Sequence, residues 1–124
     1  MAALKDRVES LIGYIQGGKI LDAMTEFYHD DATMQENKNE PRRGLEANIE
    51  HEKKFLSQVK EFHGFGATAV GVSESSEGTG DALVESWLEF TNTEGTKVRL
   101  EQVSVTRWVD GKIKSERFYY DSAG

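Results

Sequence analysis

Cysteine is absent from the 124 residues, so disulfides, thiol nucleophiles and thiolate metal sites are excluded, and thiols give no reading of redox compartment. Positive charge is scarce: 15 Lys and Arg face 22 Asp and Glu, for a formal net charge of -7. A chain of that sign repels phosphate backbones, and no nucleic-acid partner is expected. Long hydrophobic runs are missing too. Residues 1–12 carry Lys5, Asp6, Arg7 and Glu9 instead of an uninterrupted apolar stretch, so a soluble, cytoplasmic protein with no membrane partner is expected. Histidine is limited to His29, His51 and His63, with no spacing that gathers three or four ligands, and no metal is expected. Phosphate-cradling and nucleophile-elbow strings (GxGxxG, P-loop, GxSxG) do not occur. Dinucleotide, nucleotide and serine-hydrolase chemistry are set aside, and the expected cofactor is none.

What is present suits one globular unit over residues 1–124. Hydrophobic residues make up 37% and charged residues 30% of the chain, enough for a core under a well-solvated surface. Leu4, Val8, Leu11, Ile12 and Ile15 recur at three- and four-residue spacings, which predicts a helix over 3–16. Gly17-Gly18 stops it, a short helix restarts over 19–28, and His29-Asp30-Asp31 breaks that one. A short strand over 32–37 enters a polar loop. Gly44 then opens the longest helix, expected over 44–61 on a stripe of Leu45, Ile49, Phe55, Leu56 and Val59.

From Phe65 onward the pattern changes to strands, expected at 65–73, 82–91, 97–109 and 112–121. Residues 73–80 read as an exposed polar connector. The turns at Asn92-Thr93-Glu94-Gly95 and Asp110-Gly111 are too short for parallel crossovers, so the sheet is expected to be mostly antiparallel. The expected class is α+β, with three amino-terminal helices in the concavity of a curled antiparallel sheet. Such a sheet wraps the helices and leaves one end of the core open as a pocket. Gly64, Gly66 and Gly71 suit the bends that curling needs.

Several strings then become recognisable in order: Glu26-Phe27-Tyr28-His29-Asp30-Asp31-Ala32-Thr33, Glu40-Pro41-Arg42-Arg43-Gly44, Trp108-Val109-Asp110-Gly111-Lys112-Ile113 and Glu116-Arg117-Phe118-Tyr119-Tyr120-Asp121. Together they resemble the SnoaL-like family of the nuclear transport factor two-like superfamily. The resemblance implies a cone-shaped α+β fold, commonly dimeric through the outer face of the sheet. It spans polyketide cyclases, ketosteroid isomerases, epoxide hydrolases, dehydratases and plain binding modules, so fold alone does not choose an activity. Alignment with the ketosteroid isomerases implies that Glu36 occupies the general-base position. The same alignment puts Ile12 and Ser104 where those enzymes carry their oxyanion-binding Tyr and protonated Asp. Ser104 can donate one weaker hydrogen bond.

Glu36, Glu116 and Ser104 are thus the catalytic candidates. Glu116, Phe118 and Tyr120 alternate on the last strand and share a face, which the resemblance turns toward the cavity. Leu100, Gln102, Ser104, Thr106 and Trp108 share another face, whose polar centre makes Gln102 a ligand candidate beside Ser104. Over 82–91 the two faces disagree: Ala82, Val84, Leu88 and Phe90 are the more apolar, while the resemblance favours the face of Trp87, which is taken as pocket-lining. Tyr28, Met34 and Phe55 are expected as walls that touch a ligand at the inner end of the pocket. Desolvation there is expected to raise the Glu36 carboxyl. His51 and His63 can exchange protons near neutrality but have no partner in the spacing.

Three functions stay open. One is a cofactor-free isomerase, cyclase or dehydratase acting on a small hydrophobic molecule by carboxylate proton transfer. The others are a binding module with the same pocket and a dimerisation domain whose cavity is filled. A homodimer is expected through Val103, Val105 and Val109, whose face also holds Glu101 and Arg107.

Overall fold

The computed structural model describes residues 2–121. The first helix, α1 (Leu4–Gln16), buries Leu4, Val8 and Leu11, the stripe that its sequence periodicity marks out. Its first amide donates to Glu74 Oε2 at 2.8 Å, a carboxylate at the positive end of the helix. After the Gly17-Gly18 stop, α2 (Ile20–Phe27) buries Ala23, Met24 and Phe27.

Tyr28 does not end that helix but opens β1 (Tyr28–Glu36). The helix ends before His29-Asp30-Asp31 as expected, and those residues run extended within β1. His29 Nε2 lies 2.7 Å from the Val109 carbonyl, and Asp31 accepts from Lys114 Nζ at 2.6 Å. The two-residue strand β2 (Arg42–Arg43) leads to α3 (Leu45–Leu56) through Gly44, whose φ of 95° lies in the left-handed region that favours glycine.

The third helix is shorter than its apolar stripe predicted, because Val59 begins a strand. β3 (Val59–Ser76) pairs along its length with β4 (Thr79–Asn92), from Val59↔Asn92 to Ser76↔Thr79. Strand pairing on that scale overrides a local helical pattern. The same ladder consumes the expected connector at 73–80, leaving a tight hairpin. β5 (Lys97–Val109) and β6 (Lys112–Tyr119) follow.

The sheet order is β2-β1-β6-β5-β4-β3. The four long strands form the expected antiparallel meander, but β1 joins β6 in parallel, so the curled and unclosed sheet is mixed. The helices lie in its concavity. Phe27 sits at the centre of the closed end, edge-on to Trp108 at 6.3 Å and to Tyr14 at 5.2 Å. Trp108 donates its indole N–H to Thr106 Oγ1 at 2.8 Å, so the buried ring leaves no polar atom unpaired.

Trp87 does not line the concavity, contrary to the reading taken from the resemblance. Ala82, Val84, Ser86 and Phe90 are buried on the inner face of β4, which puts Leu83, Glu85 and Trp87 on the convex side. The ring lies across β3 where glycines make room: a Cβ on Gly66 would come within 2.5 Å of its Nε1. Arg99 stacks over the ring at 4.9 Å.

Candidate active site

Burial falls along the concave wall from one end to the other. On β5, Thr106 and Trp108 are buried while Leu100, Gln102 and Ser104 are half-buried; on β6, Glu116 is buried and Phe118 half-buried, as is Tyr120 just past its end. On β1, Tyr28, Ala32 and Met34 are buried and Glu36 is half-buried. The core is therefore most densely buried beneath α1 and α2, and burial falls away past Glu116, toward α3 and the end of β1. Phe55 of α3 packs there, edge-to-face with Phe90 at 5.3 Å.

Glu116, opposite Thr106 in the ladder, is 7% exposed. Its carboxylate accepts a hydrogen bond from the hydroxyl of Tyr28, the first residue of β1. Burial pushes the Glu116 carboxyl from the ordinary 4.5 up to about 7; the bond from Tyr28 pulls it back, and the neighbouring carboxyl of Glu52 adds to the rise. Tyr28 is pushed well above the usual tyrosine value by its own burial and by the charge of Glu116.

At the end of β1, Glu36 is held by Arg42 and approached by His51. Arg42 Nη1 donates to Glu36 Oε2 at 2.6 Å with Nη2 3.4 Å from Oε1, and His51 Nε2 stands 3.6 Å from Oε1. Arg42 Nε also donates to Asn48 Oδ1 at 3.2 Å. The Asn48 amide in turn donates to the carbonyls of Ala32, Arg42 and Gly44, tying β1, β2 and the start of α3 together. Glu52, one residue beyond His51, makes no hydrogen bond among the described residues. Burial raises its carboxyl, and Glu36 raises it further, against the pull of Arg42. Tyr120 is raised by burial and by Glu36.

Glu36, Glu116, Tyr28, Met34, Phe118 and Tyr120 thus lie toward the end of the concave face where burial declines, with Gln102 and Ser104 on neighbouring β5. Neither Gln102 nor Ser104 commits its side chain to a hydrogen bond among the described residues. Trp87 belongs elsewhere. It lines a convex groove of about 450 Å3 with Arg99, Glu101 and Tyr119. Glu36 does not face a mostly apolar cavity as expected, because Arg42 reaches its carboxylate first. Sequence reading missed Asn48 and Glu52 altogether and gave His51 no partner. The signal was faint but present: Asn48, His51, Glu52 and Phe55 follow three- and four-residue spacing on one helical face.

His63 stays outside this group, bonded to Thr91 Oγ1 at 2.6 Å on the surface. No three His, Asp or Glu side chains among the described residues are arranged to hold a metal ion. No helix among them is long and apolar enough to cross a membrane.

A curled, unclosed six-stranded mixed sheet around three helices defines the cone-shaped class. The chain belongs to the SnoaL-like family, whose domain profile matches residues 9–116. No functionally curated protein matches it in sequence. Among solved structures it is similar to an NTF2-like protein of unknown function from Burkholderia pseudomallei K96243, with TM-score 0.78 and 15% identity over 99% of this chain and 94% of that one. A candidate polyketide cyclase from Pseudomonas putida KT2440 gives TM-score 0.77 and 17% identity, covering 99% and 94%. An LEH-like epoxide hydrolase from M. tuberculosis gives 0.73 and 18%, covering 95% and 78%. At such identities the likeness establishes the fold.

Proposed function

We propose that this SnoaL-like protein catalyses proton transfer on a small hydrophobic molecule held at the open end of the cone, with Glu116 as the proton carrier. The observation supporting this reading is a deeply buried carboxyl whose hydrogen bond comes from a neutral hydroxyl, that of Tyr28, and not from a cation. A group poised near neutrality serves as base in one half of a reaction and acid in the other. Glu36, by contrast, already carries Arg42 on its carboxylate, so the proton-carrying role first given to it passes to Glu116.

Abstraction of a carbon-bound proton beside a carbonyl leaves an enolate on the substrate and a neutral acid on Glu116. Gln102 and Ser104 offer free donors for the enolate oxygen, and the half-buried rings of Phe118 and Tyr120 supply apolar walls. Isomerisation returns the proton to another carbon. Cyclisation joins the enolate carbon to a second carbonyl, and dehydration releases hydroxide as water with the proton from Glu116. The names of the similar structures, polyketide cyclase and epoxide hydrolase, accord with small organic substrates.

The test is hydrogen–deuterium exchange at the α-carbons of a panel of small ketones in D2O, followed by proton NMR. Wild-type protein should accelerate exchange for at least one ketone, and Glu116→Gln should lower that rate by about a hundredfold or more. Equal rates for the two proteins would overturn the reading in favour of a binding module without turnover.

A further inference from the structure

The two edges of the sheet are unlike. β2 ends it on one side with two residues, both arginine, a short charged edge of the kind that discourages pairing with another chain. β3 ends it on the other side with 18 residues, none of them buried, and its one ladder partner among the described residues is β4. In a chain with 30% charged residues, positions 64–73 of this strand run Gly-Phe-Gly-Ala-Thr-Ala-Val-Gly-Val-Ser, without a charge or a proline. We propose that the free edge of β3 over these ten residues receives, as an added strand, an extended segment of another protein, uncharged and β-branched at its centre and basic at both ends.

The backbone suits such pairing. From Ala69 to Glu74 the ladder keeps one-for-one register with residues 85 to 80 of β4, so past the irregularity at Ala67/Ala69 the outward amides and carbonyls stand in an unbroken row. Ala69, Val70, Gly71 and Ser73 are exposed, and a Cβ placed on Gly71 would meet nothing within 4 Å. An incoming strand meets only small side chains there. At roughly 3.3 Å per residue the uncharged run is about 33 Å long, enough for main-chain hydrogen bonds to supply affinity. Charge selects the occupant. Glu61 stands at one end of the run and Glu74 and Glu77 at the other, with Lys60 the one cation near them in sequence. Glu85, opposite Ala69 on β4, accepts from Thr68 Oγ1 at 2.7 Å and forms no ion pair among the described residues. A second copy of the chain would bring the same acidic ends and a net charge of -7, whereas lysines or arginines flanking an uncharged centre meet this edge with the opposite sign. The edge lies three strands from β6, which carries Glu116, and pairing at it requires nothing of the proton transfer proposed above.

The probe is a fluorescein-labelled peptide of four Thr-Val repeats between two pairs of lysines, titrated with the protein at low salt and read by anisotropy. It should bind, and the same peptide with glutamates in place of the lysines should bind weaker by about tenfold or more. Methylating every backbone nitrogen of the repeats should abolish binding, because the ladder is then impossible. Amide hydrogen exchange should show the new protection on residues 64–73 of β3 and not on β2. Gly71→Lys sets a like charge in open space on the edge and should weaken the lysine-flanked peptide by about tenfold or more. Glu61→Lys, at an exposed position, gives a second reading: it should weaken the lysine-flanked peptide and tighten the glutamate-flanked one. No binding, equal affinity for the two peptides, or protection away from β3 overturns the proposal. Binding that survives methylation is attraction of charge alone and overturns strand addition. An assembly that forms without peptide and is broken by Gly71→Lys in light scattering would give the edge to a second copy of the chain and overturn the partner proposed.

Discussion

Glu116 links function to stability at the scale of one residue. Its native pKa of about 7 lies above the ordinary 4.5, so between those values the folded protein holds a proton that the unfolded chain has released. Stability from this group is present in full below pH 4.5 and is lost as pH rises through 7. At about 1.4 kcal/mol per pKa unit the loss is on the order of 3 kcal/mol. Glu52, also raised, acts in the same direction. Asp31 and Glu74 are lowered, so their contributions are lost only on acidification below the usual carboxylate range. Thermal unfolding should therefore show a wild-type Tm that falls from pH 5 to pH 8, with a clearly shallower fall in Glu116→Gln. Parallel slopes would contradict the assignment. Asn48 supports the site without titrating. Its amide serves three backbone carbonyls and its oxygen receives Arg42. Asn48→Ala strips buried partners and should cost about 2–4 kcal/mol in denaturant unfolding. Loss below 1 kcal/mol would mean that water replaces the amide.

At the scale of elements, the pairing of β4 with β3 includes a size match, Trp87 against Gly64 and Gly66. Gly66→Ala should push the ring from its seat beneath Arg99, cost about 1–3 kcal/mol and shift tryptophan fluorescence. Combined with Trp87→Leu it should cost less than the sum of the two, because the clash has gone; strict additivity would show that the contact is slack. The same contact shows why Trp87 was misread. Alternation along 82–91 favoured Ala82, Val84 and Phe90 as the inner face, and the structure follows alternation. The glycines that mark the seat of the ring lie some twenty positions upstream, where they read only as bends. The β5 and β6 faces were legible because period-two alternation suffices for a strand covered on one side. The boundary between α3 and β3 was not, since Val59 fits a helical stripe and a strand equally well. Alternation put Glu116 on one face with Phe118 and Tyr120, and the resemblance turned that face inward. Asn48 and Glu52 were hidden, because polar residues on an amphipathic helix ordinarily face water, and only the three-dimensional approach of β1, β2 and β6 turns these inward.

At the scale of the whole molecule, the sheet presents a convex face that no helix among the described residues covers. Leu83, Val109 and Tyr119 are 48%, 39% and 44% exposed there, beside Val103 and Val105. Most charges on this face are paired: Arg99 with Glu89 and Glu101, and Arg107 with Asp81 at 3.2 Å. A face that is apolar at its centre with its arginines already paired around it is suited to a second copy of itself, because a two-fold axis then sets apolar side chains together. The remaining surface carries the net -7 and repels other approaches. Light scattering at micromolar concentration is expected to give twice the 13.9 kDa chain mass. Val103→Glu and Leu83→Glu should each shift the protein toward monomer by about tenfold or more in Kd, since each would bury an unpaired charge. The thermal unfolding of the isolated monomer should change little, because neither side chain belongs to the concave core. Raising salt should tighten association of the wild type by screening the acidic surfaces that remain outside the contact. A wild-type mass near that of a single chain, or a variant that unfolds instead of dissociating, would exclude the convex face as a pairing surface. The groove beside Trp87 would then have to be explained by a ligand of its own.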